Sequence, residues 1–86
     1  MAVSILSFYQ EGCMGCLEQE PINAEVSANM SVSIESIDAK EHPEYIKTYG
    51  LKVTPTTVIL VDGSMVEKVE GVLHQEEFCD LLKKYL

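Results

Sequence analysis

The chain has 86 residues, enough for one small domain spanning residues 1–86 and not for a second. Apolar residues make up 47% and charged residues 23%, an ordinary globular balance that excludes a disordered chain. Six Lys+Arg against 14 Asp+Glu leave a net charge of −8, which argues against nucleic acid and anionic membrane as partners, since both demand clustered positive charge. Neither an apolar run of roughly 20 residues nor a basic, then apolar, start follows Met1-Ala2-Val3-Ser4, so the expected location is cytoplasmic.

In chain order, Val3 to Tyr9 is nearly continuous apolar and β-rich, the pattern of a strand buried on both faces. Gln10-Glu11-Gly12 breaks it, and Cys13-Met14-Gly15-Cys16 follows. From about Met14 to Asn29 the pattern is helical, with Leu17, Pro21, Ala24 and Ala28 on one stripe and Ile22 and Val26 on the opposite side. A kink at Pro21 is expected to let each half present its own face. Ser31 to Glu35 alternates with period two and predicts a half-buried strand continuing toward Asp38. Pro43 opens a short helix with an apolar side of Tyr45, Ile46 and Tyr49, closed by Gly50. Thr56 to Val61 is another buried strand, Asp62-Gly63 a hairpin turn, and Met65 to Glu70 its antiparallel return. A last helix is predicted from Gln75 to Leu86, with Phe78, Leu81, Leu82 and Tyr85 at helical spacing. Glu76 and Glu77 at its start and Lys83 and Lys84 at its end suit the helix dipole. The order βαβαββα, with a right-handed first crossover, predicts an α/β fold with a four-stranded mixed sheet covered by helices.

The Cys-x-x-Cys motif lies where the first strand ends and the first helix begins, the crevice edge at which open α/β sheets place function. Residues three apart on a helix are close enough for their sulfurs to join. Cys13 faces the unpaired N–H groups of the helix start, which favour a thiolate, and Cys16 lies one turn in. Cys13 is therefore the expected nucleophile and Cys16 the resolving thiol in dithiol–disulfide exchange. Two other readings stand beside it. A permanent staple closing so short a loop would stabilise the chain by only about 2 kcal/mol, and a zinc site would have to draw on Cys79, His42 and His74 from separate elements. No metal is expected.

These residues resemble the thioredoxin family, and the likeness runs through nearly the whole chain. Pro21 stands where the family has a helix proline, Tyr49 to Thr56 resembles the stretch around its cis-proline, and Asp62-Gly63 and Gly71 match its hairpin turn and groove glycine. The resemblance implies a thioredoxin-like sheet in the order 2-1-3-4 with helices on both faces, and a cis Thr54–Pro55 bond facing the cysteines. It implies substrate contacts at Gly12, Met14, Gly15, Thr54, Pro55 and Gly71, with the Thr54 backbone pairing an incoming peptide like an added strand. The implied partners are a protein disulfide and a separate reductase or small-thiol donor. The protein is expected to be a monomer with no bound cofactor.

Departures from the family pattern bear on function. Gly12 replaces a tryptophan, Met14-Gly15 replaces Gly-Pro, and Ser7 stands where the family has a buried acid, with its lysine partner missing near Ser36. Glu11 or water would then have to take the Cys16 proton. Between Tyr9 and Val26 lie Glu11, Glu18, Glu20 and Glu25 and no positive charge, which opposes a stabilised Cys13 thiolate and favours a reducing protein. A glutathione-coupled, glutaredoxin-like enzyme is one alternative, although Val53-Thr54-Pro55 and Glu70-Gly71-Val72 differ from that group's patterns. A non-catalytic binding module on the same fold is another. Cys79 reads as a small hydrophobe beside the apolar stripe of the last helix, and His42 and His74 as capping or solvated residues.

Overall fold

A computed structural model describes residues 2–86; Met1, the first residue of the start considered above, lies outside it. Seven elements follow in the order β1 (Val3–Tyr9), α1 (Met14–Met30), β2 (Ile34–Asp38), α2 (Pro43–Tyr49), β3 (Thr56–Val61), β4 (Ser64–Glu70) and α3 (Gln75–Leu82). They form a single four-stranded sheet in the order β2-β1-β3-β4. β1 runs parallel to β2, with Ile5 opposite Ile34, and antiparallel to β3, with Ser7 opposite Thr57. The β3–β4 hairpin turns through Asp62 and Gly63, both at positive φ (51° and 85°), the geometry that a two-residue turn between twisted strands requires. This is the α/β, thioredoxin-like arrangement expected from the sequence.

Alternation along the central strands divides the core in two. On one face Ile5 and Ile59 pack with Val26 of α1 and with Leu73, Phe78 and Leu82, so α1 and α3 share that side. On the other, Leu6, Phe8, Ile37 and Val58 pack with Tyr45, Tyr49 and Leu51, so α2 covers that side. Phe8 stands edge-on to Tyr45 and tilted to Tyr49, with ring centroids 5.9 Å apart in each pair, a favourable aromatic arrangement. Ile46, expected on the inner side of α2, is exposed.

Three local expectations change. The residues Ser31–Ser33 are not strand: α1 runs on to Met30, and Ser31 closes it in the left-handed region at φ 54°. The Val32 N–H and the Ser27 hydroxyl complete that helix end, and pairing with β1 begins only at Ile34. Helix α3 stops at Leu82 rather than Leu86, because the last residues tighten into turns in which Lys84 and Tyr85 donate to the Leu81 and Leu82 carbonyls. The third change concerns α1. Its expected apolar stripe is the solvent face, with Leu17 exposed and Pro21, Ala24 and Ala28 beside it, while Gln19, Asn23 and Val26 are buried. The helix is continuous through Pro21.

Tyr85, just beyond α3, donates its hydroxyl to Glu67 of β4. That hydrogen bond to a carboxylate raises the Tyr85 pKa above 10.0. The folded chain therefore holds the phenolic proton more tightly than the unfolded chain, so this contribution is complete below pH 10 and is lost as pH rises through the folded value. Tyr85→Phe is expected to show a shallower fall of melting temperature on the alkaline side of pH 10 than the parent chain, as read from thermal unfolding against pH.

Candidate active site

Cys13 occupies the cap position of α1, with extended backbone, and Cys16 lies in the first turn. The two sulfurs are joined as a disulfide, with Cα atoms 5.2 Å apart. The Cys16 N–H donates to Cys13 Sγ at 3.1 Å, so the outer sulfur takes up one of the backbone donors that every helix start leaves unpaired. Such a donor stabilises negative charge on that sulfur once the disulfide is opened. Cys13 Sγ also lies 3.4 Å from the Thr54 carbonyl oxygen, which places it against the start of β3.

The peptide bond between Thr54 and Pro55 is cis, and Pro55 is buried. Thr56 Oγ1 donates to the Val53 carbonyl at 2.6 Å and closes the turn ahead of it. The Gly71 N–H donates to the Pro55 carbonyl at 2.8 Å, so the end of β4 is tied directly to the proline. Gly15 approaches from above: a Cβ there would stand 2.9 Å from Pro55 Cδ and 3.4 Å from Val72 Cγ2. Glycine is thus required at position 15 by the closeness of helix and proline. At position 12 the requirement is different, since Gly12 has open space around it but a φ of +80°. Met14 is 80% exposed. Cys13, Cys16, Gly12, Gly15, Thr54, Pro55 and Gly71 therefore meet at one edge of the sheet, with Met14 projecting beside them.

Beneath the disulfide the interior is polar but uncharged. Ser7, 4% exposed, accepts a hydrogen bond from the Asn23 amide at 2.8 Å. Gln19, 2% exposed, donates to Asn23 Oδ1 and to the Leu73 carbonyl, both at 3.0 Å. Its Oε1 accepts from the Leu73 N–H at 2.7 Å. Sequence reasoning missed Gln19 and Asn23 because both read as surface residues. The signal was present in their spacing, since positions 19 and 23 share the face of Ile22 and Val26. Glu11, considered for the Cys16 proton, is exposed.

A groove of about 650 Å³ opens beside the disulfide, bordered by both cysteines and with Ser7, Gln19 and Asn23 among its walls. Its acidic lining residues are Glu11, Glu20 and Asp38, and none of the six lysines lines it. Cys79 is half-buried against the α1–α3 core. His42 and His74 sit at the cap positions of α2 and α3 without a side-chain cap bond, and His42 meets Glu44 at 3.2 Å. Among the described residues no three of His, Cys, Asp and Glu are grouped to hold a metal ion.

Two substitutions test this construction. Gly15→Ala forces a methyl group onto the proline ring, and the expected cost is about 1–3 kcal/mol in a denaturant melt, as for other overpacked interiors. Gln19→Ala leaves the Leu73 N–H and carbonyl buried without their partners. It is expected to cost at least about 1–3 kcal/mol on the same measurement.

The comparisons with known proteins agree with this geometry. The family model described as Thioredoxin matches residues 2–84. A thioredoxin of Staphylococcus aureus is 28% identical over 86 residues, covering 98% of this chain and 83% of its own length. A thioredoxin of Chlamydia caviae is 26% identical over 82 residues, covering 94% and 80%. Among solved structures, a mutant thioredoxin from Halobacterium salinarum superposes with a TM-score of 0.90 at 29% identity, covering 96% of this chain and 74% of that one. A match over nearly the full length, on a chain whose two neighbouring cysteines form a disulfide, establishes that this chain belongs to the thioredoxin family and is a dithiol–disulfide oxidoreductase.

Proposed function

We propose that the chain reduces disulfide bonds in proteins, with Cys13 as the attacking sulfur and Cys16 as the resolving one. The observation that carries this reading is the position of Cys13 at the helix cap, its sulfur receiving the Cys16 N–H and facing the Thr54 carbonyl. A substrate strand laid along Thr54 would bring its own cystine to that sulfur. Pro55 and Gly71 border the same place, and Gly12, Met14 and Gly15 complete its rim.

In the reduced protein, the Cys13 thiolate attacks one sulfur of the substrate cystine. The Cys13–substrate bond forms, the substrate S–S bond breaks, and the departing thiolate takes a proton from water. Cys16, having lost its proton, then attacks Cys13 Sγ, which forms the intramolecular disulfide and releases the second substrate sulfur as a thiolate. Two electrons have moved from the protein to the substrate. A reductase supplies two electrons to restore the dithiol, and the carboxylates around the disulfide disfavour glutathione, itself a carboxylate, in that role. Because Ser7, Asn23 and Gln19 carry no ionisable group, the Cys16 proton leaves through the groove, to water or to Glu11 at its rim. On this reading the protein acts as a monomer in the reducing cytoplasm, where the pair is kept as a dithiol. Among the described residues no helix is long and apolar enough to cross a membrane.

The test compares two variants. Cys16→Ser should accumulate a mixed disulfide with a cystine-containing protein through Cys13, and Cys13→Ser should not. Equal trapping by both variants overturns the assignment of roles. A reduction potential near the roughly −270 mV of thioredoxin is expected in defined thiol buffers, and a value near −120 mV would reverse the direction.

A further inference from the structure

We propose that the groove on the β2 side of the disulfide is a second substrate subsite, which takes a basic segment of the protein being reduced. This rests on the reading that Cys13 exchanges with protein disulfides. The groove is continuous with the reacting sulfurs, since Cys13 and Cys16 both border it. Gly71 is not among its lining residues, and Tyr9, Ser36 and Asp38 set it on the side of the disulfide where β1 ends beside β2.

Two properties of its lining select the occupant. Met14 and Leu17 stand one turn apart on α1, 80% and 66% exposed, and Tyr9 at the end of β1 is 41% exposed. Three large apolar side chains left in water around one cavity form a surface suited to contact. Around them lie Glu11, Glu20 and Asp38, with no lysine in the lining. A Lys or Arg side chain meets both demands at once, because its aliphatic stem lies along apolar groups while its charge reaches toward carboxylates. An arginine adds attraction to the Tyr9 ring. The polar walls at Ser7, Gln19 and Asn23 are engaged with one another and with Leu73, so discrimination falls to the rim. An acidic segment is repelled there, and a neutral one gains only the apolar contact.

The experiment uses the full chain and three cystine peptides of equal length whose flanks carry Lys, Gln or Glu. At low salt the Lys peptide is expected to be reduced at least about tenfold faster than the Glu peptide, with the Gln peptide between them, and the spread should collapse at about 0.5 M salt. The combined variant Glu11→Gln, Glu20→Gln, Asp38→Asn should bring the Lys and Glu peptides to within about twofold of each other. The remote combination Glu76→Gln, Glu77→Gln, Asp80→Asn on α3, which removes the same amount of negative charge, should leave the preference in place. Equal loss of preference in the two combinations assigns it to overall charge and overturns the subsite. Equal rates for all three peptides with the parent chain also overturn it, while leaving disulfide reduction intact. If the chain reduces none of the peptides, the reading of protein-disulfide reduction fails, and the subsite falls with it.

Discussion

The position of the reacting sulfurs depends on how α1 is held against the sheet, and two buried amides do much of that holding. Gln19 engages both the N–H and the carbonyl of Leu73, in the connection between β4 and α3, while Asn23 bonds Ser7 on β1. Apolar contact through Val26 supplies burial without direction. Hydrogen bonds with defined geometry supply the direction, because a small shift of the helix would strand several polar groups away from water. Cys16 lies one turn before Gln19 on the same helix, so the register imposed at Gln19 is also imposed on the cysteines.

The same register brings Gly15 onto Pro55 and Cys13 Sγ against the Thr54 carbonyl. Helix start and strand start then form one surface, in which backbone groups surround the reacting sulfurs. The Cys16 N–H meets the outer sulfur, and the Thr54 carbonyl lies against the same atom. The core on either side of the sheet serves this arrangement by fixing β1 and β3, the two strands whose ends carry Cys13 and Pro55.

Charge is distributed around this surface in a particular way. The interior beneath the disulfide is hydrogen-bonded and uncharged, whereas the carboxylates of Glu11 and Glu20 stand in solvent. Interactions at such a rim are screened by salt and act mainly on encounter and selection. On the proposed reading, the steps between sulfurs depend on geometry, and the choice among substrates depends on the rim.

Much of this was legible in the sequence. The continuous apolar runs of β1 and β3, the Asp62-Gly63 turn and the Cys13–Cys16 spacing are local patterns whose meaning does not depend on distant residues, whereas the cis Thr54–Pro55 bond was expected only through the family resemblance. They determined the element order and named the cysteines. The buried face of α1 was not legible in that way. Gln19 and Asn23 belong in water unless partners wait for them inside, and the partner of Gln19 is 54 positions away in sequence. Similarly, nothing in the spacing from Ser31 to Glu35 says where α1 ends, since pairing with β1 decided the start of β2. Local chemistry along the chain determined which elements form and which residues react. Only the tertiary structure decided which side of α1 is interior and what surrounds the disulfide, because those outcomes depend on hydrogen-bond partners and close contacts that folding alone brings together.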